Sequence, residues 1–403
     1  MDLKSGYPFW AVKNGLMHTF DALQQNLDTE LVIIGGGITG ALMADHFSEQ
    51  GYAVSVIERR EVGWGSSAAS TALLQYEIDT HMLDLAKQYG EDNAYLAYQA
   101  CADAIDGLKR RTQNFADVDF AMQRSLYYAS NDKDADNMRK EFALRRKHGF
   151  AASWLETATL KADYGIDAPG AILTELAARM DPYRAAHKLL QRTVKRGGQV
   201  FERSEIVSME ASDTGVKMLS ASGHRVEAKH VIIASGYESQ SYIKQSVASN
   251  HSSYAFITDP LSPAALGKLT DTMMWESARP YIYMRTTGDG RLLVGGEDDT
   301  IDNPAKRDAK VGKKAETLAQ KVHALFPQLE FNQAFAWAGT FAETKDGLPF
   351  FGPHEEGGPR VLFAMAYGGN GISYSEIGCE LLQAWIEEKA HPLKSLFSFS
   401  RLE

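Results

Sequence analysis

Cysteine is nearly absent from this chain. Only Cys101 and Cys379 occur, far apart and in no CxxC pair, which excludes a disulfide scaffold and a thiolate zinc site and fits a reducing compartment. Long apolar runs are missing as well. No stretch approaches the roughly 20 consecutive apolar residues of a membrane-spanning helix, and the opening MDLKSGYPFWAVKNGLMHTF has no basic-then-apolar leader pattern. No membrane span and a cytoplasmic location are therefore expected. Basic character is the third shortage. The formal charge is −10, and no Lys/Arg run is long enough to neutralise a row of phosphates, so nucleic acid is not an expected partner. The densest basic patch, ALRRKH at 143–148, reads as a solvated helix face.

What remains is the composition of a globular protein, 44% hydrophobic and 23% charged over 403 residues, enough for two domains with sizeable cores. Residues 30–60 read as strand, tight turn, helix, strand. LVII is the continuous apolar run of a strand buried on both faces. Ala41, Leu42, Ala44 and Phe47 then fall near helical spacing up to Gly51, and YAVSVIE resumes as a strand. From about 80 to 165 the chain is mostly helical, interrupted by a strand at RSLYYAS, 124–130. Residues 183–198 form an amphipathic helix. The segment 251–300 alternates polar with apolar and carries turn signals such as GDGR, as an antiparallel sheet does. Helix returns at 306–326 and again near 372–389.

The expected fold class is α/β: a discontinuous Rossmann-like domain with an antiparallel-sheet (α+β) substrate domain inserted into it. The nucleotide side is assigned 29–105, 170–250 and 335–390, the substrate or cap side 106–169 and 251–334, and 1–28 is an N-terminal extension.

Gly35, Gly37 and Gly40 satisfy G-x-G-x-x-G between a strand and a helix. The first permits the tight turn, the second lets backbone approach a pyrophosphate, and the third lets helix and strand pack closely. The helix N-terminus then offers unsatisfied N–H groups and the positive end of its dipole to phosphates. Glu58 ends the second strand, where a carboxylate accepts from ribose hydroxyls and disfavours a 2′-phosphate. This stretch predicts a dinucleotide site. After the second strand the chain enters EVGWGSSAASTALLQYEID, whose small residues leave room for a bulky ligand along the backbone.

Further motifs follow in order: MDPYRAAHKLLQRTVKRGGQVFERSEIVSME, ASG at 234–236, YIYMRTTGDGRLLVGGEDD, WAGTFAETKDGLPFFGP and YGGNGI. With the glycine loop they make the chain, from residue 30 to about 390, resemble the glycine/D-amino-acid oxidase family of flavoproteins, which includes glycine, sarcosine and gamma-glutamylputrescine oxidases. The resemblance implies FAD as cofactor, with Gly35, Gly37, Ile38, Thr39 and Gly40 at the pyrophosphate and Glu58 at the adenosine ribose. It places Arg59 beside the adenine, Ile206 contacting adenine through its backbone, and Ser235 and Gly236 near the nucleotide. Ser66, Ser67 and Ala69 would line the ribityl and flavin approach. Gly339, Gly368, Gly369, Asn370, Gly371 and Ile372 would surround the isoalloxazine. A glycine loop opening a helix suits that last task, because its N–H groups and dipole face the negative charge of reduced flavin. Neither cysteine falls where relatives attach flavin, and GWGSSAAS holds no histidine, so non-covalent FAD is expected.

For such a family the cofactor takes a hydride from the carbon bearing an amine, and the protein positions the substrate. Alternation along PYIYMRTTG puts Tyr281, Tyr283 and Arg285 on one strand face. Arg285 is the candidate carboxylate fork, similar in place to the substrate-binding arginine of glycine oxidase; an ion pair with Asp289 or Glu297 is the alternative. Tyr254, Tyr237 and Tyr367 are further pocket candidates, and Lys345, before DGLP, is a candidate charge near the flavin. Trp337 reads as packing. Gln75, Tyr76 and Glu77 replace an Arg-Asn-Gly-like sequence of many members. Glu77 is either a recogniser of a second amine or a solvated acid. SGYPFW either caps the pocket or covers sheet hydrophobics.

The resulting expectation is an FAD-dependent oxidoreductase acting on the C–N bond of an amino acid or secondary amine. A dehydrogenase of polyamine derivatives using another acceptor, an FAD-bearing subunit of a larger complex, and an NAD enzyme are the alternatives. The expected partner is a small-molecule amine or amino acid, with an electron-acceptor protein left open.

Overall fold

The computed structural model describes residues 2–15, 17–301 and 303–402. Its first sheet is seeded by the βαβ unit that the glycine pattern predicts: β1 (Leu27–Ile34), α1 (Ile38–Glu49) and β2 (Val54–Ile57). β1 pairs in parallel with β2, Leu31 opposite Val54, and on its other side with β3 (Arg225–Ile233), Val32 opposite Val231. Val361–Met365 extends the sheet in parallel beyond β3, and Phe350–Pro353 closes that edge antiparallel. The last four residues of β1 and all of β2 are buried, which is why they read as unbroken apolar runs.

The turn from β1 into α1 is set by two glycines. Gly35 has φ +116°, and a Cβ there would lie 2.3 Å from the Ala234 carbonyl oxygen. A Cβ on Gly40 would lie 1.9 Å from the Gly35 carbonyl oxygen. Any side chain at Gly40 would push helix and strand apart.

The second sheet holds β4 (Ser249–Thr258), β5 (Ile282–Thr286), β6 (Leu292–Asp299) and β7 (Gln333–Glu343) in the order β7-β4-β6-β5. It continues through Thr272–Glu276, Ala121–Tyr128, Ala171–Arg179 and Leu73–Gln75. The pairing is antiparallel except between Thr272–Glu276 and Ala121–Tyr128. Leu73–Gln75, Ala171–Arg179 and β7 therefore hydrogen-bond into this sheet, not into the nucleotide side to which their position in the chain assigned them. Their partners are distant in sequence, so local pattern carried no sign of it.

The N-terminal extension covers the second sheet. Leu3 and Ser5 pair with β7 through Thr340 N–H to Leu3 O at 2.9 Å and Ser5 N–H to Ala338 O at 3.0 Å. Trp10, fully buried, donates to the Ser70 carbonyl at 2.7 Å.

A buried charge network fixes the first domain. Asp45 of α1, wholly buried, accepts from Arg192 at 2.6 and 2.8 Å, Arg196 at 2.9 Å and Arg111 at 2.9 Å. Arg111 also forks onto Glu376 at 2.8 and 2.9 Å, on α2 (Gly371–Ile386). One guanidinium thus ties α1 to α2. ALRRKH is not a solvated face throughout. Arg145 is fully buried and pairs with Glu141 at 2.8 Å and Glu77 at 3.7 Å. Glu77, whose hydroxyl partner is Thr174 at 2.9 Å, is accordingly neither a solvated acid nor a recogniser of substrate.

Removing one partner of a buried pair leaves an uncompensated charge, at a cost of about 3–5 kcal/mol. Arg111→Leu is expected to lower the melting temperature by several degrees and to weaken cofactor retention, whereas Arg139→Leu, which removes an exposed ion pair with Glu156, is expected to move neither. Thermal unfolding followed by circular dichroism checks both.

Candidate functional site

The N-termini of α1 and α2 open onto one cavity of about 760 Å³, within the usual range for small-molecule sites. Of the predicted cofactor residues, Gly35, Gly37, Ile38, Thr39, Glu58, Arg59, Ser66, Ser67, Ala69, Ile206, Ser235, Gly236, Gly339 and Gly368 to Ile372 line it. Gly40 does not. It lies beneath the loop, where its lack of a side chain sets the helix–strand distance.

At one end Glu58 is held by the Gly36 and Arg60 N–H groups, each at 2.7 Å. Burial pushes its carboxyl up and those two donors oppose the shift. Arg59 forks onto Glu238 at 2.7 and 2.9 Å and reaches Glu205 at 3.4 Å. Ser67 accepts the Ile38 N–H at 2.8 Å, and Thr39 shares a hydrogen bond with Ser375 at 2.8 Å, so both hydroxyls already join the cavity walls to each other. Midway, Gly339 sits against Ala69, whose Cβ would be 3.1 Å from a Cβ at Gly339. At the far end Asn370 donates to the carbonyls of Gln75 and Glu77 at 2.9 and 3.0 Å, clamping the loop before α2 onto Leu73–Gln75. Tyr367 donates to the Gly236 carbonyl at 3.2 Å.

The set fits a flavin dinucleotide. One helix N-terminus suits a diphosphate, the Glu58 carboxylate suits a ribose diol, and the second helix N-terminus suits the negative charge of a reduced flavin. Among the described residues that line the cavity there is no Cys or His, and Cys101 and Cys379 are buried elsewhere.

The substrate candidates divide. Tyr281 and Tyr283 line the cavity with ring centroids 5.6 Å apart, and Tyr237 and Tyr367 line it too. Tyr254 borders it, but its hydroxyl donates to Asp299 at 3.2 Å and its ring packs in the core of the second sheet. Arg285 is not in the cavity. It is fully buried and donates to the carbonyls of Thr71 at 2.7 Å, Met180 at 2.9 Å and Thr286 at 3.1 Å, with its guanidinium 5.4 Å from the Trp10 ring. It shares a strand face with Tyr283, as alternation predicts, but two residues further along β5 that face meets the N-terminal helix. Nor does it pair with Asp289, which holds Lys13 at 3.1 Å, or with Glu297, which holds Lys321 at 2.7 Å. Burial lowers its pKa to about 10. Lys345 is exposed and does not line the cavity. Trp337 donates to the Ala69 carbonyl at 2.9 Å and packs against Phe9.

Four lining acids escaped the sequence reading: Glu205 and Glu238, which meet Arg59, and Asp79 and Asp298 beside the second sheet. β6 bulges at its end, with φ +134° at Gly296 and +56° at Glu297, and its register against β4 slips there. That irregularity redirects Asp298, so simple alternation mis-assigns its face. Burial pushes its carboxyl up to about 7, with a further push from Asp79.

Comparison with known proteins agrees with this geometry. The family model described as FAD dependent oxidoreductase (DAO) matches residues 30–385. The chain belongs to that family. Its members are FAD-dependent, so the dinucleotide is FAD. The chain is 22% identical over 396 residues (98% of this chain, 75% of the relative) to a Bacillus subtilis (strain 168) protein named as a Rieske 2Fe-2S iron-sulfur protein. It is 23% identical over 383 residues (93% and 87%) to gamma-glutamylputrescine oxidoreductase of Escherichia coli (strain K12). The structure of glycine oxidase from Geobacillus kaustophilus superposes with a TM-score of 0.78 at 20% identity, covering 93% of this chain and 98% of that one, a likeness of fold. Among the described residues of this family member, no helix is long and apolar enough to cross a membrane.

Two outcomes are expected. Arg285→Ala leaves three buried carbonyls without their donor and is expected to cost about 3–5 kcal/mol in urea unfolding. Asp298 titrates near 7 when folded, above the unfolded value of about 3.9. The folded state therefore holds an extra proton between those values, and stability falls as pH rises through that window. Asp298→Asn is expected to gain roughly 2–4 kcal/mol over the parent at pH 8 and nothing at pH 4, in the same assay.

Proposed function

We propose that the protein oxidises the C–N bond of an amine or amino acid, with Gly35 to Thr39, Glu58, Ile206, Ser235–Gly236 and Gly368 to Ile372 holding FAD non-covalently. The observation that carries this is one cavity shared by a dinucleotide loop, a second helix N-terminus and an aromatic and acidic wall from the second sheet. When bound, FAD would supply the two-electron acceptor for oxidation of a carbon bearing an amine.

The chain's own part is positional. The loop before α2, held by Asn370, would offer backbone N–H groups and the helix N-terminus to the negative charge of a reduced flavin. Tyr281 and Tyr283, from β5 and the residue before it, wall the opposite side. Burial, and then the nearby acids, raise the Tyr283 hydroxyl to about 12, so the phenols stay protonated and act as hydrogen-bond donors. The names of the similar proteins support this reaction class, since one is a gamma-glutamylputrescine oxidoreductase.

Anaerobic titration of the yellow holoprotein tests the proposal. Bleaching of the flavin band by at least one amine or amino acid is expected, and acid precipitation is expected to leave a colourless pellet. A flavin that no amine or amino acid bleaches overturns the proposed reaction. The rate of reoxidation by oxygen, compared with that by a dye, then assigns the acceptor.

A further inference from the structure

Among the described residues, no cation lines the second-sheet end of the cavity beside the two acids there. Asp298 lines the wall, and its Oδ1 is buried without a hydrogen-bond partner. Asp79 lies against the loop before α2: a Cβ on Gly369 would stand 2.6 Å from its Oδ2. Both carboxylates act on the phenols of Tyr281 and Tyr283, so all four side chains face one space. Among the described residues, the only cations lining the cavity are Arg59 and Arg60, at the opposite end against Glu238. Arg285, the one candidate carboxylate fork, bonds backbone carbonyls outside the cavity. The other charged groups near Asp298 are Arg279 and Glu343. Both are exposed, neither lines the cavity, and Arg279 lies over the Tyr281 ring at 4.5 Å.

Ser253 hydrogen-bonds to the Asp298 carboxylate, but a largely buried carboxylate with one oxygen unpartnered and no cation beside it in the cavity is costly unless something pairs with it. A carboxylate-bearing substrate brings the wrong sign, because like charges in a low-dielectric site repel. An alkylammonium brings three N–H donors and the right charge. The nitrogen being oxidised must carry a free electron pair to expel hydride from its carbon. The cation held by the acids is therefore a different nitrogen of the same molecule.

We infer that Asp298 and Asp79 form a cation site that selects amines carrying a second ammonium group and no carboxylate on the reacting carbon. This rests on the amine-oxidising reading above for its chemistry, but the recognition can be measured apart from turnover.

The test titrates anaerobic holoenzyme at pH 8 with 1,4-diaminobutane, n-butylamine, glycine and sarcosine, following both the shift of the flavin band on binding and its bleaching. The diamine is expected to bind at least about tenfold more tightly than n-butylamine, a difference of about 1.4 kcal/mol, and more tightly than either amino acid. Asp298→Asn and Asp79→Asn are each expected to weaken diamine binding about tenfold or more while n-butylamine changes little. Because Asp298→Asn is expected to stabilise the fold, its loss of binding cannot come from unfolding. A diamine that shifts the band in an Asp298-dependent way, with no amine or amino acid bleaching it, upholds the cation site and overturns the oxidation reading. Glycine or sarcosine binding more tightly than the diamine, above all in an Arg279-dependent way, overturns the cation site and leaves the oxidation reading standing. A diamine that neither shifts nor bleaches the band overturns the inference.

Discussion

The arrangement depends on one guanidinium. Arg111 reaches Asp45 on α1 and Glu376 on α2 at 2.8–2.9 Å, so the two helices whose N-termini face the cavity are locked to each other from behind. A dinucleotide flavin needs favourable dipoles at both its diphosphate and its ring, and a relative shift of the helices would misplace one of them. The geometry at the front is equally rigid. Gly40 lets α1 press onto the Gly35 carbonyl, and Asn370 pins the loop before α2 to Leu73–Gln75, a strand of the other sheet. The cavity is the space left between these constraints.

Buried arginines recur as fasteners in this molecule. Arg111, Arg145 and Arg285 each sit where several elements meet; Arg111 and Arg285 place their donors on carboxylates or backbone carbonyls, and Arg145 donates through Nε to Glu141 and pairs by charge with Glu77. Guanidinium suits this use because it cannot shed its charge and its fork meets several acceptors at once. The consequence for function is a separation of signs. Among the described residues, no cation lines the second-sheet end of the cavity, which is left with acids and phenols.

Much of the nucleotide half was legible in the chain. The glycine spacing, Glu58 and the GGNG loop are local devices in which a turn, a cap and a strand end lie within a few residues of one another, and the backbone itself makes the site. The antiparallel character of 251–300 was legible for the same reason, since alternation is a property of the strand alone. The assignment of strands to sheets was not. Leu73–Gln75 and β7 are short or unremarkable in pattern, and their strand partners lie far away along the chain, at Ala171–Arg179 and at β4.

Sequence by itself determined that a dinucleotide is held by a βαβ unit and that aromatic strands stand over it, because steric limits on glycine and the period of a strand act within a few residues. Tertiary structure alone decided which charged side chains line the cavity. Arg285 and Glu77 had the right chemistry, yet packing carried one under the N-terminal helix and the other against Arg145. Asp298, behind a bulge, and Asp79, beside Gly369, face the cavity in their place. A charge acts through its surroundings, and those come from residues distant in the chain.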